Sequence, residues 1–439
     1  MPTDGEPMID IKLIRAEPQR YIDAAKAKRM EVDIPALLEA DRKLMDAQRE
    51  LQDIRTAQNA AGKEIAKLKD DAKRQAVEKM SQLKVRAKEL NDLVEQLQPK
   101  FNELMLLVAQ PAAPDVPIGK DETENVVVRT EGEIRRFDFE PKDHVQLGEA
   151  LDIIDIPRGV KLAGSRNYFL KGPGAMMHYA ILRLAADQMV AKGYTLLNVP
   201  VLVNESVMCG TGYFPVGRDQ AYLAERDGMS LVGTAEVPVT AYHTDEILDE
   251  AELPKKYAAL STCFRREAGA AGKDTYGLYR IHHFDKVEQV ILCRNDPAVS
   301  LEHHREILRN AEDVLKALEL PYRVMNVCTG DLGQGQVQKF DIETWMPSRG
   351  EAGPGGRPTG AYGETHSASR FYEFQARRLN IRYRGADGAV RFCHTLNNTV
   401  IASPRILIPI LELYQNSDGS VTVPKALRPY MGGMEKIGS

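Results

Sequence analysis

Five cysteines, one tryptophan and an aromatic share of only 6% are spread over 439 residues, and nowhere do 18 apolar residues run together. The missing apolar run excludes a transmembrane helix. The cysteines (Cys209, Cys263, Cys293, Cys328 and Cys393) are odd in number, widely spaced and without a CxxC pair. That pattern argues against a disulfide framework and against a zinc ribbon, and for reduced thiols in a cytoplasmic protein. No HExxH occurs, so no structural zinc is expected. Neither GxxxxGK[ST] nor a GxGxxG after a strand is present, which removes the P-loop and the Rossmann site. Met1 to Pro7 is polar and acidic, unlike a secretory leader. With 58 Lys and Arg against 63 Asp and Glu the net charge is −5. The whole chain is therefore no basic coat, and any nucleic acid must be held by a local patch.

What is there is a charge-rich globular composition, 43% hydrophobic and 28% charged, long enough for two to three domains. Residues 36–108 stand apart, with one glycine (Gly62) and one proline (Pro99). Apolar positions Ala76, Met80, Leu83, Ala87, Leu90, Val94, Leu97, Phe101, Leu104 and Val108 alternate steps of four and three, the coiled-coil heptad. Leu44, Ala47, Leu51, Ile54, Gln58, Ala61, Ile65 and Leu68 keep the same register. A polar break at Lys69–Lys73 then predicts an antiparallel helical hairpin, with Pro99 kinking its second helix. Between Arg55 and Lys88 ten basic residues face four acids, a local +6. A solvated surface and a grip on a polyanion both fit that charge. Gln110–Pro117 reads as a Pro-rich linker and Ser348–Gly360 as a mobile Gly- and Pro-rich insertion.

In the remaining body, Thr262–Glu267 reads as a strand with Arg265 and Glu267 on one face. Lys286–Cys293 reads as its antiparallel partner, apolar but for an isolated acid, Glu288. A basic loop, Ala268–Tyr279, joins them. Arg, Glu and a basic loop suit a nucleoside triphosphate, although an exposed hairpin with surface ion pairs has the same spacing.

The stretch Phe264-Arg265-Arg266-Glu267-Ala268-Gly269 resembles motif 2 of class II aminoacyl-tRNA synthetases, and of the seryl-tRNA synthetase family in particular. The resemblance spans nearly the whole chain. It takes in Met8-Ile9-Asp10, VPIGKDETENV (116–126), GSRNYFLKGPGA (164–175), MCGTGYFP (208–215) and GTAEVPVT (233–240). It continues through CTGDLG (328–333), DIETW (341–345), FQARRLNIRYR (374–384), ASPRILIPILE (402–412) and LRPYMGG (427–433). It implies an α+β chain, with an N-terminal tRNA-binding domain at 1–115 carrying the helical coiled-coil arm. A class II catalytic domain at 116–439 would be built on an antiparallel β-sheet flanked by helices. It further implies that L-serine is activated by ATP to seryl-adenylate and transferred to tRNA(Ser), with tRNA(Sec) a further candidate acceptor.

Carried over position by position, Thr234, Ala235, Glu236, Arg265, Glu288 and Thr399 would hold serine. Arg265, Arg266, Glu267, Ile281, His282, His283, Phe284, Glu364, Thr365, His366, Ser367 and Arg405 would hold ATP, with Phe284 stacked on adenine. Arg265 and Arg405 would be catalytic, and Glu364 and Ser367 would bind Mg²⁺. Pro200, after the helix with Met177, Ile181 and Leu184, matches motif 1 and implies a homodimer. The basic arm would contact the tRNA. The chain departs from the usual pattern at Gly363-Glu364-Thr365-His366-Ser367, where an arginine ahead of the glutamate is replaced by glycine. It departs also at Asn397-Asn398-Thr399 and at Pro404 and Pro409, the latter expected to bend the motif 3 helix. The competing readings are a synthetase-like ligase charging a carrier protein, and an inactive RNA-binding paralogue. The long arm speaks against the first. Retention of Thr234, Glu236, Arg265, Glu267, Glu288 and Arg405 speaks against the second.

Overall fold

The computed structural model describes residues 9–65, 69–269, 276–353 and 358–438. The expectations that fall on the first eight residues, on 66–68 of the hairpin turn, and on parts of the 268–279 and 348–360 loops lie outside them. The chain forms two compact units, Pro7–Ala109 and Gln110–Ser439.

In the first unit, two short helices, α1 (Ile11–Ala16) and α2 (Pro18–Ala27), precede the long pair α3 (Ile34–Ile65) and α4 (Asp70–Leu107). Asp10 caps α1 by accepting the Lys12 amide at 2.9 Å, satisfying one orphan donor of the first turn. The heptad positions do what their spacing predicts: Ala47, Leu51, Ile54 and Leu90 are buried together, with Leu83, Ala87 and Val94 packed around them. One detail differs from expectation. Asp70–Lys73 belongs to α4 rather than to a break, its two acids stabilising the positive end of the helix. Pro99 lies inside α4, which runs on past it to Leu107.

The second unit is built on an eight-stranded sheet. Its strands are β1 (Val126–Glu131), β2 (Thr195–Leu197), β3 (Lys255–Phe264), β4 (His283–Cys293), β5 (Tyr322–Asn326), β6 (Gln338–Met346), β7 (Ala361–Tyr372) and β8 (His394–Ser403). They lie in the order β1-β5-β6-β7-β8-β4-β3-β2. Every pairing is antiparallel except that of the short edge strand β2 with β3. Helices α5 (His144–Ala150), α6 (Pro173–Ala191), α7 (Pro297–Ala317) and α8 (Leu407–Leu413) surround it. One face of the central strands is dry: Val287, Ile291, Leu396 and Val400 pack with Met177, Ile181 and Leu184 of α6 and with Ile307, Ala311 and Val314 of α7. Strand alternation then turns Lys286 and Glu288 to the opposite face.

Gln110–Pro117 is not a free linker. Gln110 and Ala113 donate their amides to Gln334 and Val337, and Ala113 and Val116 are buried with Val327 and Leu332. Pro404 precedes α8, and Pro409 sits at its third residue, where an amide has no intrahelical acceptor anyway, so no bend is required. Met177, Ile181 and Leu184 all face the core, while the same helix exposes Met176 and Tyr179.

Two β-bulges interrupt the central strands. Across β6 and β7, Ile342 pairs with His366 but Glu343 with Glu364, leaving Thr365 as an extra residue. Across β4 and β8, Val287 pairs with Ile401 but Glu288 with Thr399, leaving Val400 extra. Each bulge reverses the inside–outside parity of its strand at one point.

Candidate active site

The bulges decide what faces the cavity on the open side of the sheet. Glu364 and Ser367 are three apart and would point to opposite faces of a regular strand. With Thr365 extruded they share one face, opposite Glu343 and Asp341. In the same way Thr399 and Ala402, three apart, both come to the face of Glu288 and Lys286, their respective partners. The cavity is lined by Tyr213, Thr234, Glu236, Arg265, Glu267, Tyr279, Ile281, Phe284, Lys286, Glu288, Gln336, Glu364 to Ser367, Ser369, Asn397, Thr399, Ala402, Ser403 and Arg405.

One part of the lining is a closed polar cluster. Glu288 is 1% exposed and ion-paired with Lys286. The Lys286 ammonium also donates to Thr234 Oγ1 at 2.7 Å and to Thr399 Oγ1 at 3.3 Å, and Thr234 Oγ1 donates to Glu288 at 3.4 Å. Glu288 is thus not the isolated acid that the apolar strand suggested. Its partner is two residues away on the same face, and pairing offsets the cost of burying both charges. Glu236 accepts from Gln375 Nε2 at 2.7 Å. Burial, and then the neighbouring Glu288, push the Glu236 carboxyl up to about 7.

Elsewhere in the lining the guanidinium of Arg265 lies 5.2 Å from the Phe284 ring centroid and donates to the Gly233 carbonyl at 3.2 Å. The strand expected through Glu267 ends at Phe264. Glu267 takes a left-handed backbone (φ 51°), and its carboxylate pairs with Arg280 at 2.5 Å. Arg265 and Glu267 still both reach the cavity, through a turn rather than by strand alternation. Arg405 donates to the carbonyls of Tyr279 and Glu364, each at 3.0 Å. His366 is buried, accepts or donates at Thr365 Oγ1 at 2.8 Å, and is held neutral because burial drives its pKa down to about 3.

Four expected contacts do not line the cavity. Ala235 is fully buried, and Arg266 is exposed and donates to the Asp219 carbonyl. The His282 ring bonds the Arg265 carbonyl, and His283 stacks on Tyr168 with centroids 5.2 Å apart. Residues that sequence reasoning missed include Lys286, Tyr279, Tyr213, Gln336 and Asn397. Lys286 alone carried a signal, its spacing of two from Glu288.

Several comparisons bear on this arrangement. Residues 222–414 match the model of the tRNA synthetase class II core domain (G, H, P, S and T), and residues 8–110 that of the seryl-tRNA synthetase N-terminal domain. The antiparallel sheet with its cavity is that of a class II aminoacyl-tRNA synthetase. A serine--tRNA ligase of Deinococcus radiodurans is 42% identical over 98% of this chain and 99% of its own. The solved seryl-tRNA synthetase of Pyrococcus horikoshii, complexed with ATP, superposes with a TM-score of 0.88 at 36% identity, covering 98% of this chain and 99% of that one. The cytoplasmic serine–tRNA ligase of Naegleria fowleri, in complex with AMP, gives 0.85 at 30% identity, covering 99% of each. The chain belongs to the seryl-tRNA synthetase family.

Proposed function

We propose that the chain is an ATP-dependent serine–tRNA ligase that forms seryl-adenylate and pyrophosphate and then transfers the seryl group to tRNA(Ser). The observation that carries the reading is the buried Lys286, Glu288, Thr234 and Thr399 cluster beside Glu236 in the same cavity as Arg265 and Arg405. A side chain no larger than a hydroxymethyl group can exchange hydrogen bonds with Glu288 and Thr399, and an isostere lacking the hydroxyl leaves those buried groups unsatisfied. Glu236, ionised, matches an α-ammonium group.

With the serine carboxylate beside Arg265, in-line attack on the α-phosphorus expels pyrophosphate. Arg265 and Arg405 meet the charge that spreads over the phosphoryl oxygens, and Phe284 offers a ring face to adenine. The terminal ribose hydroxyl of tRNA then takes the seryl group, so no side-chain nucleophile is needed. Glu364 and Ser367, brought to one face by the bulge, fit Mg²⁺ with their hard oxygens. Among the described residues no three His, Cys, Asp or Glu side chains come together to hold a metal ion, while Asp341 lies across the sheet from Ser367. An ion held there would neutralise phosphate charge.

The arm is the tRNA-binding element in this reading. Arg55, Lys69, Lys73, Arg74, Lys79, Lys84 and Lys88 are exposed on it, while Arg86 is partly neutralised by Glu50 and Glu89. The exposed Leu162, Phe169, Met176 and Tyr179 support pairing with a second copy. Among the described residues no helix is long and apolar enough to cross a membrane. A tRNA partner supports a cytoplasmic location.

The test is ATP–pyrophosphate exchange with each amino acid in turn, followed by charging of serine tRNA. Exchange with serine and transfer to tRNA is the expected result. Exchange without transfer would favour a carrier-protein ligase, and no exchange an inactive paralogue.

A further inference from the structure

Gly363 stands where the family pattern has an arginine, yet a guanidinium is present beside it. The chain leaves β6 in a turn that Arg349 closes by donating its amide to the Met346 carbonyl at 3.1 Å. A Cβ at position 363 would lie 3.1 Å from both Cδ and Nε of Arg349, and 3.1 Å from Cε2 of Tyr279. The bare glycine is what leaves Arg349 its place. Its guanidinium lies 3.9 Å from the Tyr279 ring centroid, and that of Arg405 lies 4.4 Å from the same centroid. Tyr279 lines the cavity, and its hydroxyl donates to the Glu364 carbonyl at 3.3 Å, the acceptor that Arg405 also uses.

The segments carrying these groups are held by one buried carboxylate. Glu412 of α8, 0% exposed, accepts the Ser348 amide at 2.9 Å and the Ser348 hydroxyl at 2.6 Å. It also accepts the His144 amide at 3.1 Å and bonds His144 Nδ1 at 2.8 Å. Nε2 of the same ring accepts the Leu278 amide at 3.2 Å, one residue before Tyr279. Arg349 and Tyr279 thus each follow a residue tied to Glu412, and Arg405 lies in the turn just before α8, the helix that carries it. A rigid pair of arginine forks beside the cavity is suited to bidentate contact with a polyphosphate.

We propose that Arg349 binds the β,γ-phosphate end of ATP together with Arg405, a nucleotide contact supplied from the turn after β6 in place of one from position 363. The inference rests on the reading that ATP occupies the cavity. It is tested by calorimetric binding of ATP and of AMP, which lacks those two phosphates, to the full chain and to Arg349→Ala. The substitution is expected to weaken ATP about tenfold or more, the loss of charge-assisted hydrogen bonds, and to leave AMP within about twofold. Arg349→Gln, which keeps the stem over Tyr279, provides the same comparison if the alanine variant unfolds. Parallel loss of ATP and AMP, or no loss of either, would overturn the assignment and leave Arg349 a packing residue on Tyr279. Absence of ATP binding by the unaltered chain would overturn the functional reading with it.

Discussion

Single side chains here carry measurable signatures. Because burial and Glu288 raise the Glu236 carboxyl to about 7, the free site loses its negative charge as the pH falls through neutrality. Ammonium recognition needs the ionised form. kcat/KM for serine in pyrophosphate exchange is therefore expected to fall about tenfold per unit below pH 7, with KM for ATP flat. Glu236→Gln should abolish that pH dependence along with most of the activity. A second residue-scale effect is steric. Gly277 has φ +65° and a Cβ there would lie 1.9 Å from His144 Nε2, so both backbone and neighbour demand glycine. Gly277→Ala is expected to cost about 2 kcal/mol or more, read as a lowered urea midpoint.

At the scale of elements, local pattern foretold what is periodic and missed what breaks the period. Ala47, Leu51, Ile54 and Leu90 are buried as their heptad requires, and the apolar run after Lys286 forms a central strand. Motif 2 was legible as a string, but its geometry was not. The strand ends at Phe264 because the chain turns at Glu267, a left-handed residue whose partners, Arg280 and Arg166, come from elsewhere in the chain. Ala235, Arg266, His282 and His283 were carried over with the family's motifs, and tertiary partners hold them elsewhere. Ala235 is buried at the start of the turn of helix carrying Glu236, and Arg266 bonds the Asp219 carbonyl. The His282 ring bonds the Arg265 carbonyl, and His283 stacks on Tyr168. The bulges at Thr365 and Val400 leave no mark in hydrophobicity, since both residues are extruded within otherwise ordinary strands. Their role is testable. Inserting one residue between Ile342 and Glu343 would give Thr365 a partner, restore regular alternation and separate Glu364 from Ser367, and is expected to lower the exchange rate roughly 100-fold or more with circular dichroism unchanged.

For the molecule as a whole, activation and transfer are expected to be separable. Replacing Arg55–Lys88 by a short turn should leave serine-dependent pyrophosphate exchange within about twofold and abolish tRNA charging. In the intact chain KM for tRNA should rise steeply with salt while that for serine does not, because only the former reports phosphate contacts. Normal charging by the shortened chain would remove the arm's assigned role. Glu412 has a different consequence, one of timing. The amides of His144 and Ser348 end on its carboxylate, and that of Leu278 ends on the ring it holds. Though more than 60 positions apart in sequence, these three hydrogens should trade for deuterium on a single clock, released together when one buried side chain lets go.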